Sequence, residues 1–437
     1  MARKSAHAPL GVYQNGDRVG RLDRQSSGAI SFGYDVAWLE NDGANPVSLS
    51  LPLREERFAG APVIAVFDNL LPDGNALRRR VAERVGADGD DAFSLLSAIG
   101  RDCVGALQFL PDGEAPSTAS ASDSDPIDDA AVARRLKALA FAPLGMDDNE
   151  DFRISIAGAQ EKTALLRWRD QWRLTRGATP TTHILKPQIG RLPSGIDMSQ
   201  SVENEYFCMK LAAALGLRAA KVAIADFEDV RVLAVERFDR RWLSETQPAR
   251  VPQEDFCQAL SVAPTRKYQS EGGPSSNAVL DLLRASDEPD TDRAAFLKAQ
   301  IFFWLIGATD GHAKNFSVYL GPLGSFRMTP LYDVLSAQPA GDLGQISRNK
   351  MKLAMSVGRS KHYVVDWIAT RHFYETADAS GFAAQSVTKI IEDLKAAGDD
   401  ALDATMRALP TDFPQPLSES IGAAFRRRLR LLTPQSG

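Results

Sequence analysis

A chain of 437 residues, 44% hydrophobic and 24% charged, has the make-up of a globular protein with room for two to three domains of about 150 residues. A formal charge of −5 excludes strong general affinity for nucleic acid, because phosphate binding rests on clustered Lys and Arg. Three cysteines without CxxC spacing and five scattered histidines exclude a disulfide framework and a legible zinc site, and neither a signal peptide nor a membrane span is visible.

The expected setting is the cytoplasm, with reduced thiols and no membrane contact. In chain order, residues 10–22 read as a hairpin around Asn15-Gly16, and 29–38 as a further strand. An apolar run at 62–71 and a Pro-Asp-Gly turn complete this β-rich first part and lead to a basic amphipathic helix over 76–85. Segment 114–128 is small, polar and acidic. It carries too little apolar surface to order itself and is expected to be a linker or surface loop.

From about 150 the pattern alternates. Strand, loop and strand are expected over 154–168, then a short strand ending at Pro187, a helix over 199–215 stopped by Gly216, and a strand over 231–238. Helices are expected over 253–261, 276–285, 291–308, 384–397 and 416–432. The expected fold is α+β and bilobal, protein-kinase-like, with a β-rich N-terminal lobe and a mostly helical C-terminal lobe. Its parts are an N-terminal subdomain (1–113), the linker (114–128), the remainder of the N-lobe (129–250) and the helical lobe (251–437).

The chemistry concentrates in Thr-Asp-Gly-His-Ala-Lys-Asn (309–315) and Tyr-Asp-Val (332–334). An Asp, an Asn five residues later and a second Asp on a nearby strand can hold a hydroxyl and magnesium against a nucleotide. Asp310 would accept or orient the proton of an attacking hydroxyl. Asn315 and Asp333 would hold the metal. Lys186 is the one Lys of a short apolar strand, suited to α/β-phosphates and to a Glu on a helix. Of Glu203 and Glu205, Glu205 lies nearer the apolar stripe of its helix and is the favoured partner. Residues 155–163 stand where a phosphate-binding loop would. They carry one glycine, Gly158, whose neighbouring amides could face phosphates together with Lys162. Glu236 to Asp239 end a strand whose backbone could bind an adenine edge.

Several blocks together resemble the HipA family of serine/threonine kinase toxins: Ser-Ile-Ala-Gly-Ala-Gln-Glu-Lys-Thr (155–163), His-Ile-Leu-Lys-Pro (183–187), Glu-Asn-Glu-Tyr (203–206), Ala-Val-Glu-Arg-Phe-Asp (234–239), Pro-Gln-Glu-Asp-Phe-Cys-Gln (252–258) and Ile-Gly-Ala-Thr-Asp-Gly-His-Ala-Lys-Asn (306–315). The resemblance runs in order along nearly the whole chain. It implies a kinase using ATP and Mg2+ that phosphorylates a translation protein, an aminoacyl-tRNA synthetase such as glutamyl-tRNA synthetase, and so causes growth arrest and persistence. It implies a HipB-like helix-turn-helix antitoxin dimer as partner, which supplies most of the affinity for operator DNA.

For individual residues, the resemblance implies inactivation by autophosphorylation of Ser155. It also implies nucleotide contacts from Lys162, Lys186, the Glu236 and Phe238 backbone, Asp239, Gln253 and His312. An alternative is a catalytically weak corepressor module acting with the antitoxin. Two Arg clusters, 78–80 and 426–430, read as solvated basic faces.

Overall fold

A computed structural model describes residues 8–139 and 160–434. The chain divides into two compact units: Met1–Pro187 with Ala225–Arg266 and Ser317–Phe326, and Gln188–Ile224 with Lys267–Phe316 and Arg327–Gly437.

The first unit holds two sheets. In the five-stranded one, Leu10–Gln14 and Asp17–Arg24 form the expected hairpin. Asn15 (φ 48°) and Gly16 (φ 102°) take the left-handed turn positions that a two-residue hairpin loop requires. The run read within a β-rich part is helical instead, as Ala61–Asp68 with Pro at its first turn, where a missing N–H costs nothing. It is followed by the helices Asn75–Val85 and Ala92–Ile99. Phe32, Phe67 and Phe109 are fully buried between these helices and the sheet, edge to face at 5.5–5.6 Å.

The six-stranded sheet runs in the order Val222–Phe227, Val230–Glu236, His183–Pro187, Thr163–Trp168, Gln171–Thr175, Ser124–Pro126. The last strand departs from the expectation for 114–128: Ser124–Pro126 pairs antiparallel with Arg173–Thr175. Backbone hydrogen bonding orders this segment, so a shortage of apolar side chains is no obstacle there. A second departure lies at 253–261. Gln253–Asp255 is a strand paired with Ser317–Tyr319, and only Phe256–Ala259 is helical, started by a capping box between Asp255 and Gln258.

A buried polar network binds this unit together. Asp102, with no exposure, accepts from Arg250 at 2.8 and 2.6 Å. Asp239 accepts from Arg237 at 2.9 and 2.7 Å, from Arg240 at 2.9 Å and from the Gly105 amide at 2.9 Å. Burial alone would raise the Asp239 carboxyl, but Arg237 and Arg240 outweigh it and hold the group at about 2.

The second unit is mostly helical: Ser201–Ala214, Ser276–Leu282, Pro289–Ile306, Thr370–Ala379, Ala384–Arg407 and Gln415–Leu431. Pro289–Ile306 is its buried axis. Pro289 opens the helix, Asp290 and Asp292 sit at its positive end, and Gly307 (φ 69°) closes it. Gly398 lets two helices meet, since a Cβ there would stand 2.5 Å from Leu429. Among the described residues no helix is long and apolar enough to cross a membrane.

Neither Arg cluster is simply a solvated face. Arg78 is held by Asp68 and the Pro72 carbonyl. Arg428 is buried against the Leu305 carbonyl and Gln338, and Arg426 pairs with Asp399 and Asp403.

Candidate functional site

In the second unit the helix Pro289–Ile306 ends directly before the motif 309–315, so Asp310 follows the buried axis of the unit. Gly311 is required for packing: a Cβ there would lie 2.3 Å from the Phe303 ring. The turn closes locally, with the His312 amide donating to the Asp310 carbonyl at 2.8 Å and the Asn315 amide to the His312 carbonyl at 2.9 Å. The Asn315 side-chain nitrogen donates to the Asp310 carbonyl at 2.7 Å. That bond uses one donor of the amide nitrogen and leaves the Asn315 amide oxygen as the acceptor of the side chain. Asp310 itself keeps 55% of its side chain exposed, and buried His312 lies 3.8 Å from its carboxylate.

Asp333 reaches the same loop through its neighbour. The Tyr332 hydroxyl donates to the Lys314 carbonyl at 2.7 Å, so segment 332–334 is tied to segment 310–315. Asp333 is not on the expected strand: the strand Phe326–Met328 has already ended, and an isolated bridge, Ala219 to Leu331, lies between them. Asp333 has φ 59°, a left-handed conformation that non-glycine residues adopt at a cost and that recurs at ligand sites. Asn204 fixes the far end of this segment by exchanging hydrogen bonds with Ser336, and the Ser336 hydroxyl reaches the Ile306 carbonyl at 2.5 Å. Glu205 is buried on the same helix as Asn204, and Glu203 accepts from Gln188 at 2.7 Å.

In the first unit, strand register separates two sheet faces. Thr163 stands opposite Leu185, and Leu185 opposite Ala234. That face packs on Val132 and Leu136 of the helix Asp129–Ala138. Side chains alternate along a strand, so Lys186 and its partner Leu233 belong to the opposite face. Continued by one residue, the register puts Lys162 beside Lys186, and the Gln160 side chain reaches the Pro187 carbonyl at 3.3 Å. Both lysines are buried. Two buried ammonium groups on one sheet face suit a polyanion.

Glu236 is exposed at the end of its strand. The Phe238 carbonyl accepts from the Tyr319 hydroxyl at 3.2 Å, with the two rings edge to face. Gln253 is the strand partner of Tyr319, and its buried Oε1 has no hydrogen-bond partner among the described residues. The Asp239 carboxylate, by contrast, is committed inside the arginine network.

Residues 154–402 match the HipA-like C-terminal domain and residues 10–110 the HipA N-terminal domain. The chain belongs to the HipA family. Y4mE of Sinorhizobium fredii is 39% identical over 354 residues, spanning 80% of this chain and 81% of that protein. The serine/threonine-protein kinase toxin HipA of Shewanella oneidensis is 31% identical over 302 residues, 66% of this chain and 65% of that protein. Among solved structures, a chain from the Shewanella oneidensis HipA–HipB–operator DNA complex superposes with a TM-score of 0.77 at 24% identity, covering 96% of this chain and 97% of that one. The fold shared with this HipA structure is the expected α+β, bilobal, kinase-like one.

On this HipA-family chain, the structure brings Asp310, His312, Asn315 and the Asp333 segment together in the second unit. In the first it brings Lys162 to Lys186, and Phe238 to Gln253 through Tyr319. Lys186 belongs to the first unit and Glu205 to the second. Ser155 and Gly158 lie outside the described residues. Sequence reasoning missed Tyr332 and Asn204 as supports of the site. Asn204 stands inside the quoted Glu-Asn-Glu-Tyr block, so that block held a signal, but no local pattern marks its contact with Ser336.

Proposed function

We propose that the chain is an ATP- and Mg2+-dependent protein serine/threonine kinase that acts as the toxin of a type II toxin–antitoxin pair. The observation that carries the reading is the tying of Asp310, Asn315 and the Asp333 segment into one loop cluster by the Asn315–Asp310 and Tyr332–Lys314 hydrogen bonds. Family membership and the similarity to the serine/threonine-protein kinase toxin of Shewanella oneidensis support it.

In this reading Asp310 orients the acceptor hydroxyl and takes up its proton. Asn315 and Asp333 offer oxygen donors, which suit a hard cation held by few protein ligands. Bound magnesium would neutralise charge on the transferring phosphoryl group. Lys186, with Glu205 as its partner, and Lys162 face the phosphates, as would the amides around Gly158. The unpartnered Gln253 oxygen and the backbone at Glu236 and Phe238 suit the donors and acceptors of an adenine edge. His312, beside Asp310, is a further nucleotide contact.

The finer reading extends to substrate and control. The substrate is a translation protein, an aminoacyl-tRNA synthetase such as glutamyl-tRNA synthetase, whose loss would arrest growth and yield persistence. Autophosphorylation of Ser155 would inactivate the enzyme, because a phosphate adds about −1.5 to −2 charges where ATP phosphates must bind. A HipB-like helix-turn-helix antitoxin dimer is the partner and carries the operator DNA, as the complex that contains the Shewanella HipA chain suggests. The site of action is the cytoplasm.

The test is phosphoryl transfer from γ-labelled ATP by the purified chain, with growth measured after induction. Asp310→Asn and Asp333→Asn should abolish labelling and growth arrest while leaving the fold intact. Growth arrest that survives in folded Asp310→Asn protein overturns the mechanism. ATP binding without any labelling by the native chain favours the corepressor alternative. Mass spectrometry should find phosphate on Ser155 after incubation with ATP, and an unmodified Ser155 removes self-inactivation.

A further inference from the structure

The basic, glycine-containing stretch 265–274 has no part in the reading above. Its part in the second unit, from Lys267 on, lies across the catalytic turn. The Tyr268 hydroxyl donates a hydrogen bond to Asp310 Oδ1. The Tyr268 ring stands edge to face on His312, with centroids 4.9 Å apart. The Ala313 amide donates to the Lys267 carbonyl at 3.4 Å.

The stretch is also pinned on its other side. Gln269 Oε1 accepts from the Ser356 amide at 2.8 Å and from its hydroxyl at 3.1 Å. The Tyr268 carbonyl accepts from the Glu271 and Gly273 amides at 3.0 and 2.9 Å, a tight turn made possible by Gly272 at φ 88°.

We propose that Tyr268 is a positioning residue for Asp310, its phenol fixing the carboxylate so that it presents to the acceptor hydroxyl. The inference rests on the kinase reading of Asp310. Three features favour positioning over a gate that must swing aside. Tyr268 is anchored by its ring on His312, by its own carbonyl and by the next side chain, so the hydroxyl has little freedom to leave. Its bond goes to one carboxylate oxygen, and the Asp310 side chain remains 55% exposed, so a substrate can still approach. A phenol is a far weaker acid than a carboxyl, so Tyr268 is the donor of this bond and the Asp310 oxygen its acceptor. General bases must be held closely to act, and a carboxylate free to rotate loses rate without losing substrate.

The decisive variant is Tyr268→Phe, which keeps the ring on His312 and removes only the donor. Steady-state phosphoryl transfer should show kcat reduced about tenfold with KM for ATP unchanged. A merely structural role would lower the folded fraction and would not divide kcat from KM in this way. Gln269→Ala, which loosens the stretch without touching Asp310, should lower kcat in the same direction. A Tyr268→Phe enzyme with native kcat overturns the inference, and so does one with raised kcat, which would mark Tyr268 as an occupant of the acceptor position. Asp310→Asn measured alongside separates the two levels. If it retains transfer, the kinase reading of Asp310 fails. If it is inactive while Tyr268→Phe matches the native enzyme, only the positioning role fails.

Discussion

Asn204 and Ser336 exchange two hydrogen bonds, side-chain nitrogen to carbonyl and amide to side-chain oxygen, each 2.8 Å long. Both residues are buried. One amide side chain therefore satisfies both backbone groups of a residue three positions beyond Asp333. Asn204→Ala would leave a buried N–H and C=O without partners, at a cost of about 1–3 kcal/mol. Because the freed segment carries a proposed metal ligand, we expect activity to require more magnesium as well. Denaturant unfolding and a Mg2+ titration of phosphoryl transfer measure the two effects. Unchanged stability with an unchanged magnesium requirement contradicts this role.

The contrast between Glu203 and Glu205 yields a second expectation. Glu203 already accepts from Gln188, while Glu205 is the buried acid favoured as partner of Lys186. Glu205→Gln should weaken productive ATP use, with kcat/KM falling at least tenfold, an effect of about 1.4 kcal/mol or more. Glu203→Gln should stay within about threefold. Equal losses in both variants, or a larger loss at Glu203, would reverse the assignment.

What the sequence made legible follows from the range of the interactions. The helix Pro289–Ile306 and its stop at Gly307 are written locally, in apolar spacing, an opening Pro, early acids and a closing Gly. Lys186 stands out because it is the one charge in an apolar strand. Gln253–Asp255 misleads because its residues continue a helix-like pattern into Phe256–Ala259, while pairing with a strand far along the chain decides its conformation. Tyr268 was illegible for the same reason. Its hydrogen bond to Asp310 spans 42 positions, and no periodicity reports such a contact.

Asp102 gives a stability expectation. It is unexposed and serves Arg250 through two hydrogen bonds, with Arg240 also within 3.5 Å. Removing one acid from a buried network leaves guanidinium charge uncompensated, so Asp102→Ala should cost about 3–5 kcal/mol. Chemical denaturation checks this, and a loss below about 1 kcal/mol would show that the network is far better hydrated than its burial implies.

Glu254 contributes a pH dependence to stability. It lies fully buried between Gln253 and Asp255, with one oxygen accepting from the Leu49 amide at 2.7 Å and Oε2 without a hydrogen-bond partner among the described residues. Burial pushes its carboxyl up to about 8, against the lowering pull of the Leu49 amide. Below the ordinary value of 4.5 the group is neutral in both the folded and unfolded chain. Between there and about 8 the unfolded chain gives up a proton that the folded chain keeps, so rising pH favours unfolding. Above about 8 both forms are ionised and the loss is complete, on the order of a few kcal/mol. Glu254→Gln keeps an acceptor for Leu49 and removes the titration. Unfolding free energies measured from pH 5 to pH 8 should fall more steeply for the native chain than for the variant, with the variant relatively more stable at the alkaline end. Parallel curves would mean that Glu254 is ionised within the fold and finds its compensation elsewhere.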